Sequence, residues 1–195
     1  MPGTSVVVSL SRITPEKGQD RLLEALALWE KQSDYPAAGV IYFLIGEAAY
    51  MQGKRFEGRL RKLAAGLQRT HVYFTGYLTG ALKQAALERG DLYVFPSRHE
   101  SYGLTLLEAM RAGLPVLATR TYGVMDMMKP EFGTLLPPSR EAKVPELLQK
   151  SMAALFANPQ KLKQQGRAAE AYARAQRFSE TASRLAAWLI HQTHK

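Results

Sequence analysis

The stretch "DLYVFPSRHESYGLTLLEAMRAGLPVLAT", residues 91–119, decides the fold of this chain. It opens with an apolar run at 91–95, passes through a polar loop, and becomes a helical pattern at 104–112. A second apolar run follows at 115–118. Short runs that are apolar on both faces, separated by a helix, are typical of a parallel sheet covered by helices on both sides.

The same alternation continues on both sides of this stretch. Further apolar runs occur at 5–10, 39–45, 71–75 and 133–138. Helical patterns lie at 19–32, from about 54, at 80–88, at 123–128 and from 143 onward. The alternation predicts an α/β fold, a doubly wound, Rossmann-like parallel sheet in three α/β/α layers. With no linker or internal repeat, 1–195 is predicted to form a single domain with C-terminal helices over 143–195.

Composition narrows the class of protein. The chain has 195 residues, no cysteine and a net charge of +9, so disulfides and thiolate metal sites are excluded. The charge is compatible with nucleic acid, an anionic membrane surface or phosphate-bearing small molecules. Because the basic residues are scattered and not interleaved with aromatic ones, we expect no nucleic-acid partner. Without a signal sequence we expect a cytoplasmic protein, with peripheral contact to the inner face of the membrane as an alternative.

Ligands in doubly wound sheets bind beyond the carboxyl ends of the strands, where loops lead into helices. These loops are therefore the candidate site segments. In this chain they are 11–18, 46–53, 76–79, 96–103 and 119–123.

Loop 96–103 carries two glutamates that frame a predicted helix start. The helix should begin near Gly103-Leu104, where free backbone N–H groups form a ready anion site. Glu100 would precede the helix and Glu108 would lie about one turn into it, so the two acids do not share one helical face. One interpretation is that both acids bind a ligand along the crevice. The alternative is that Glu100 is an ordinary loop residue and that Glu108 is favoured by the helix macrodipole alone.

Loop 11–18 faces the same predicted crevice. Its residues Arg12 and Lys17 would neutralise phosphates from the opposite side. The arginine offers a planar guanidinium for bidentate hydrogen bonds, and the lysine offers a point charge. The alternative is a solvated basic loop. Together, loops 11–18 and 96–103 would form a two-sided phosphate clamp.

Four segments of the chain carry a resemblance to a known family. In order they are "SRITPEKGQDRLLEAL", "VYFTGYL", "DLYVFPSRHESYGLTLLEAMRAGLPVLAT" and "GTLLPP". They resemble the C-terminal, nucleotide-sugar-binding domain of retaining glycosyltransferases of the GT-B fold, family four, the glycosyl transferases group 1. The most specific element is E-x7-E followed by E-A-M-x-x-G-x-P-V. The resemblance implies transfer of a sugar from a nucleoside-diphosphate sugar in lipopolysaccharide or other glycan synthesis; a non-catalytic nucleotide-binding or interaction module is the alternative.

The resemblance also implies roles for the candidate residues. Glu100, the candidate catalytic residue, would contact the donor sugar's hydroxyls, and Glu108 would hold the ribose. The donor diphosphate would be bound by Arg12, Lys17 and the backbone amides of Gly103, Leu104 and Thr105.

The base would lie near Gly76, Tyr77 and Leu78, and the loop residues His99, Ser101 and Tyr102 would shape the sugar pocket. The resemblance implies no cofactor and no metal, with a UDP-sugar as the favoured donor and a GDP-sugar as the alternative. It further implies an N-terminal acceptor domain as partner, which this chain lacks, so we expect the chain alone to be inactive. A lipid-linked acceptor at an anionic membrane surface would suit the basic charge.

The chain departs from the family pattern at several positions. Ser101 follows the first glutamate where glycine is usual, and Ala48 replaces the second glycine of a G-x-G element. The segment "YGVMD" offers Asp126 in place of a glutamate, and "FSE" at 178–180 lacks a tryptophan. These departures leave the donor's identity open.

Overall fold

The computed structural model describes residues 3–137 and 140–176, together with 183 and 186. In this part of the chain, strands and helices alternate. The strands are β1 (Ser5–Leu10), β2 (Val40–Ile45), β3 (Thr70–Gly76), β4 (Leu92–Phe95), β5 (Val116–Ala118) and β6 (Gly133–Leu135). The α-helices are α1 (Gln19–Trp29), α2 (Tyr50–Ala65), α3 (Gly80–Glu88), α4 (Leu104–Arg111), α5 (Tyr122–Met125), α6 (Val144–Phe156) and α7 (Pro159–Ala175). Single 3₁₀ turns cover Pro15–Lys17 and Glu141–Lys143.

The strands form one parallel sheet in the order β3-β2-β1-β4-β5-β6. This order confirms the predicted doubly wound, Rossmann-like fold. The chain moves outward in one direction from β1 to β3, then returns to the other side of β1 as β4. The reversal between β1 and β4 opens a crevice at the carboxyl ends of these two strands, where loops 11–18 and 96–103 begin.

The helices cover both faces of the sheet because successive strand residues point to opposite sides. On β1, Val7 belongs to one buried cluster and Val8 to the other. The cluster around Val7 is completed by α1, α2 and α6, and that around Val8 by α3, α4, α5 and most of α7. Trp29 is fully buried in the first layer, against the rings of Tyr35 and Phe156. The three-layer α/β/α prediction is thus confirmed.

Some predicted element boundaries were wrong. The second helix begins at Tyr50, not near residue 54, and the last strand ends at Leu135 instead of 138. The break predicted near Asn158-Pro159 is confirmed, and its cause is an N-cap in which the Asn158 side chain accepts a hydrogen bond from the Lys161 amide at 3.0 Å. Helices predicted beyond 176 and the "FSE" element lie outside the described residues. Within the described ranges, no helix is long and apolar enough to cross a membrane.

Candidate functional site

A cleft of about 1130 Å³ opens at the carboxyl edge of the sheet, between the loops that follow β1, β2, β4 and β5. Four of the five predicted site loops contribute to its lining, and the loop at 76–79 does not. The predicted site residues in this lining are Arg12, Lys17, His99, Glu100 and Ser101. The structure therefore brings the two halves of the predicted phosphate clamp together.

The loops after β1 and β4 touch through their backbones. Gly18 has φ +67°, and a Cβ at this position would lie 2.1 Å from the carbonyl oxygen of Pro96. The amides of Arg98 and His99 both donate to the carbonyl oxygen of Glu16, at 2.7 and 3.4 Å. Only glycine combines this positive φ with so close an approach, so the contact fixes the spacing of the cleft walls.

Arg98 anchors the loop that carries Glu100. Its guanidinium donates to both carboxylate oxygens of Asp20, at 2.8 and 3.0 Å, and to the carbonyl oxygen of Pro15 at 2.6 Å. It also donates to Glu141 at 2.9 Å. Asp20 is only 3% exposed, so this bidentate pair lies largely out of water.

A second arginine, Arg21, is buried and completes the network. Arg21 donates to the carbonyl oxygens of Pro96 and Ser97, at 3.0 and 3.3 Å, and pairs with Glu141. Hydrogen bonding to Arg21 opposes the effect of burial and lowers the pKa of Glu141. The network joins α1, the loop after β4 and the turn before α6, and it was not predicted from the sequence.

Glu100 forms an ion pair with Lys17 inside the cleft, with 2.7 Å between Nζ and Oε2. Both side chains are mostly buried, and the other carboxylate oxygen accepts the amides of Ser101 and Tyr102 at 3.1 and 3.4 Å. Burial alone would raise the pKa of Glu100, but the Lys17 ammonium and these two amides outweigh it and lower the pKa. Glu100 is therefore an ionised, acceptor-only group, suited to receive hydrogen bonds from hydroxyls.

This lowered pKa predicts an acid-sensitive contribution to stability. Glu100 binds a proton less readily in the folded state, so its contribution is present above its ordinary pKa of 4.5 and lost as pH falls through the lowered value. We expect the Tm difference between the wild type and Glu100→Gln to be largest near neutral pH and to shrink below pH 4.5. Thermal unfolding followed by circular dichroism across this range measures it, and a pH-independent difference would contradict the assignment.

The start of α4 lies beside the Glu100 side chain. Gly103 is its N-cap with φ 84°, and no side chain caps the helix. A Cβ on Gly103 would lie 3.8 Å from Cγ of Glu100. The predicted helix start is thus confirmed. The amides of Leu104 and Thr105 belong to the first turn, where backbone N–H groups have no acceptor within the helix and can bind an anion.

Glu108 lies apart from the cleft. The Lys83 ammonium of α3 is 2.8 Å from Oε2 of Glu108 but is not aligned for a hydrogen bond, so the contact is an ion pair. The predicted residues outside the cleft lining are Gly76, Tyr77, Leu78, Tyr102, Gly103, Leu104, Thr105 and Glu108. The predicted site thus divides into the cleft and a second group near α3, α4 and the loop after β3.

A close backbone contact joins α5 to the Glu100 loop. The amide of Gly123 donates to the carbonyl oxygen of Glu100 at 3.2 Å, and a Cβ on Gly123 would lie 2.4 Å from the carbonyl carbon of Ser101. The segment "YGVMD" departs from the family pattern by offering Asp126 in place of a glutamate. Asp126 is exposed and does not line the cleft. In this segment Gly123 provides the contact with the Glu100 loop, whereas Asp126 takes no part in the cleft.

Gly123→Ala is expected to lower the free energy of unfolding by about 1–3 kcal/mol, because the added methyl group forces the backbone at Ser101 to move. Urea unfolding measures the change. Gly58→Ala is the matched control, since a Cβ at Gly58 has nothing within 4 Å. At this interior position of α2 the same substitution should stabilise the protein by about 0.5–1 kcal/mol. Equal effects at the two glycines would contradict the close contact.

Several cleft residues were missed by sequence reasoning. Tyr50, Gln52, Arg120 and Tyr122 line the cleft together with Arg98. No periodic or charge pattern distinguishes these residues from ordinary loop residues. Among the described residues, no group of three His, Asp or Glu side chains is placed to hold a metal ion.

The doubly wound sheet, with a cationic cleft at its switch point, defines a Rossmann-like domain suited to bind an anionic ligand. The model of one family, "Glycosyl transferases group 1", matches residues 2–172. The chain belongs to this family.

Known relatives and solved structures also resemble this chain. D-inositol 3-phosphate glycosyltransferase of Segniliparus rotundus is 33% identical over 190 residues, which cover 95% of this chain and 40% of the relative. The structure of Anabaena HepE in complex with UDP and glucose has a TM-score of 0.76 at 22% identity, covering 97% of this chain and 48% of that one. WaaG, a glycosyltransferase involved in lipopolysaccharide biosynthesis, has a TM-score of 0.67 at 23% identity, covering 90% and 44%. The chain spans less than half the length of these proteins.

Proposed function

We propose that this chain is the donor-binding domain of a retaining glycosyltransferase that transfers a sugar from a nucleoside-diphosphate sugar to an acceptor. A UDP-sugar is the favoured donor and a cell-envelope glycan such as lipopolysaccharide the favoured product, in line with the UDP complex of HepE and the role of WaaG. The observation that carries the proposal is the Lys17–Glu100 pair, which places a cation and an ionised carboxylate 2.7 Å apart in the cleft. A sugar diphosphate could use both groups, the cation for its phosphates and the carboxylate for its hydroxyls.

The diphosphate would lie between Arg12, Lys17 and the first-turn amides of α4. When the bond to the sugar breaks, negative charge grows on the leaving diphosphate, and donors already fixed in place stabilise it. These groups would perform the task that a metal ion has in other transferases. Glu100 would meanwhile accept hydrogen bonds from the sugar's hydroxyls and hold the ring against the diphosphate.

Glu108 would hold the ribose, and Gly76, Tyr77 and Leu78 would lie near the base. A carboxylate can accept both ribose hydroxyls at once, and Lys83 supplies its counter-charge from α3. The nucleoside would therefore extend over the start of α4, away from the cleft. The sugar would lie in the cleft beside His99 and Ser101, and the diphosphate would join the two regions.

The acceptor domain would be part of the remainder of a longer enzyme. Because the chain spans less than half the length of its relatives, we propose transfer activity for the whole enzyme and only donor binding for this domain. The net charge of +9 would favour work at the inner, anionic face of the membrane on a lipid-linked acceptor.

Calorimetric titration with UDP, GDP, ADP and their sugars tests the proposal. We expect one of these nucleotides to bind, and Glu108→Ala to weaken it at least about tenfold through loss of charge-assisted hydrogen bonds. Glu170→Ala is the control, because it breaks a similar helix ion pair, with Arg174, far from the cleft. Absence of nucleotide binding at millimolar concentration would overturn the proposal. Equal affinity for a nucleotide and its sugars would favour a non-catalytic module.

A further inference from the structure

Tyr50 has a backbone conformation that side chains rarely adopt. Its φ is 61°, the only positive φ at a non-glycine residue in the described part of the chain. The left-handed region brings Cβ too close to the following carbonyl oxygen, so the conformation costs free energy. The side chain is 81% exposed, so burial of its ring does not compensate for that cost.

Close backbone contacts hold the residues on either side of Tyr50. A Cβ on Gly53, in the first turn of α2, would lie 2.7 Å from the carbonyl oxygen of Ile13. Ile13 also pairs with Ala48 in an isolated β-bridge, and its amide donates to Glu47 at 2.8 Å. The start of α2 is thus held firmly against the loop after β1. Strain that is maintained by well-packed neighbours is concentrated at functional sites in proteins.

A second exposed tyrosine lines the same cleft from the loop after β5. Tyr122 is 85% exposed and is the first residue of α5, which the Gly123 hydrogen bond ties to the Glu100 loop. Tyr50 and Tyr122 therefore line, from the starts of two helices, one cleft that also contains the Lys17–Glu100 pair.

An unsatisfied polar group lies in the same cleft lining. Thr121 is 9% exposed and lines the cleft, and its hydroxyl has no hydrogen-bond partner among the described residues. A buried hydroxyl without a partner is costly, so a ligand that hydrogen-bonds to it in the cleft would gain free energy. The Gln52 side chain lies in the same lining and offers further donors and an acceptor.

We propose that Tyr50 and Tyr122 form a subsite for a pyranose ring of the carbohydrate acceptor. A pyranose has apolar C–H faces and a polar hydroxyl edge, and amphipathic tyrosine rings beside hydroxyl and amide groups match both. Glu100 and the phosphate-binding cations are assigned to the donor, which leaves these rings for the second sugar. The inference rests on the proposed function, because it requires that the sugar bound by Glu100 belongs to the donor.

The test uses this chain with methyl α-D-glucopyranoside and methyl α-D-mannopyranoside, each with and without UDP. Saturation-transfer NMR and tyrosine ring shifts report binding at millimolar glycoside. We expect Tyr50→Gly and Tyr122→Ala each to weaken glycoside binding about tenfold, and Tyr50→Phe to retain it. Met51→Ala is the matched control, since Met51 is 79% exposed beside Tyr50 but does not line the cleft.

Stability separates a binding role of Tyr50 from a structural one. Because glycine adopts φ 61° freely, Tyr50→Gly should leave Tm unchanged or raise it while glycoside binding falls. A lower Tm in this variant would mean that the ring serves the fold and would overturn the proposal. So would wild-type glycoside affinity in Tyr50→Gly, absence of glycoside binding to the wild type, or ring shifts caused only by phosphatidylglycerol vesicles. UDP affinity should be the same in all these variants; if UDP binds to none, including the wild type, the proposed function fails separately.

Discussion

Asp20→Ala is expected to lower the free energy of unfolding by about 2–3 kcal/mol. Asp20 is 3% exposed and accepts two hydrogen bonds from Arg98. Its removal leaves a partly buried guanidinium without its main counter-charge, and breaking a buried pair costs about 3–5 kcal/mol. The Arg98 side chain is 26% exposed, so water screens part of this loss and we expect the lower figure. Urea unfolding with an unchanged m-value measures it.

Glu57→Ala is the matched control for this prediction. Glu57 pairs with Arg61 at 2.6 Å on the outside of α2, where the arginine side chain is 57% exposed. Breaking an exposed helix pair costs less than about 0.5 kcal/mol. If Asp20→Ala cost no more than Glu57→Ala, the Arg98 network would not hold the Glu100 loop. Asp20→Asn should fall between the two, because it keeps the shape of the carboxylate without its charge.

Arg12→Ala is expected to weaken UDP binding by about 10- to 100-fold. Arg12 lines the cleft, and no carboxylate of the described residues lies within ion-pair distance of its guanidinium. Arg12, like Arg120 in the same lining, is therefore an exposed cation available to a diphosphate. A charge-assisted, bidentate contact contributes about 1.5–3 kcal/mol, which corresponds to this range of affinity. Since Arg12 is exposed, the substitution should hardly change Tm.

Arg61→Ala removes the same charge from the outer surface of α2 and is the control for Arg12→Ala. Calorimetry with UDP at two salt concentrations separates local binding from the long-range field. A local contact predicts a large loss only for Arg12→Ala, at both salt concentrations. Equal losses in the two variants would show that net charge alone attracts the nucleotide and would contradict the diphosphate role of Arg12.

The sequence allowed the sheet and the main cleft loops to be predicted because their signals are local. The run at 5–10 is apolar on both faces, and β1 occupies exactly these positions in its central place in the sheet. Glu100 could be assigned to a site loop because the strand before it and the helix start at Gly103 lie within a few residues. In a parallel sheet, such loops meet at one edge without any long-range information.

The interactions that hold the site could not be predicted in this way. Arg98 binds Asp20 and Glu141, which are 78 and 43 residues away in the chain, and neither acid belongs to a recognisable motif. The strain at Tyr50 is equally hidden, because tyrosine does not signal a left-handed conformation. The start of α2 was placed too late since the helical pattern becomes regular only after Gly53, whereas packing against Ile13 begins the helix at Tyr50.

The proposed role of the Lys17–Glu100 pair in donor binding also bears on which anions could stay in the cleft. Glu100 acts as an internal competitor for Lys17, since any incoming anion must approach a carboxylate that lies 2.7 Å from the ammonium. Chloride or inorganic phosphate would gain one attraction and meet one repulsion, with no hydroxyls to offer Glu100. A sugar diphosphate brings negative charge for the lysine and hydroxyl donors for the glutamate together. Competition by Glu100 for the Lys17 ammonium would thus discriminate against the small anions that are abundant in every cell.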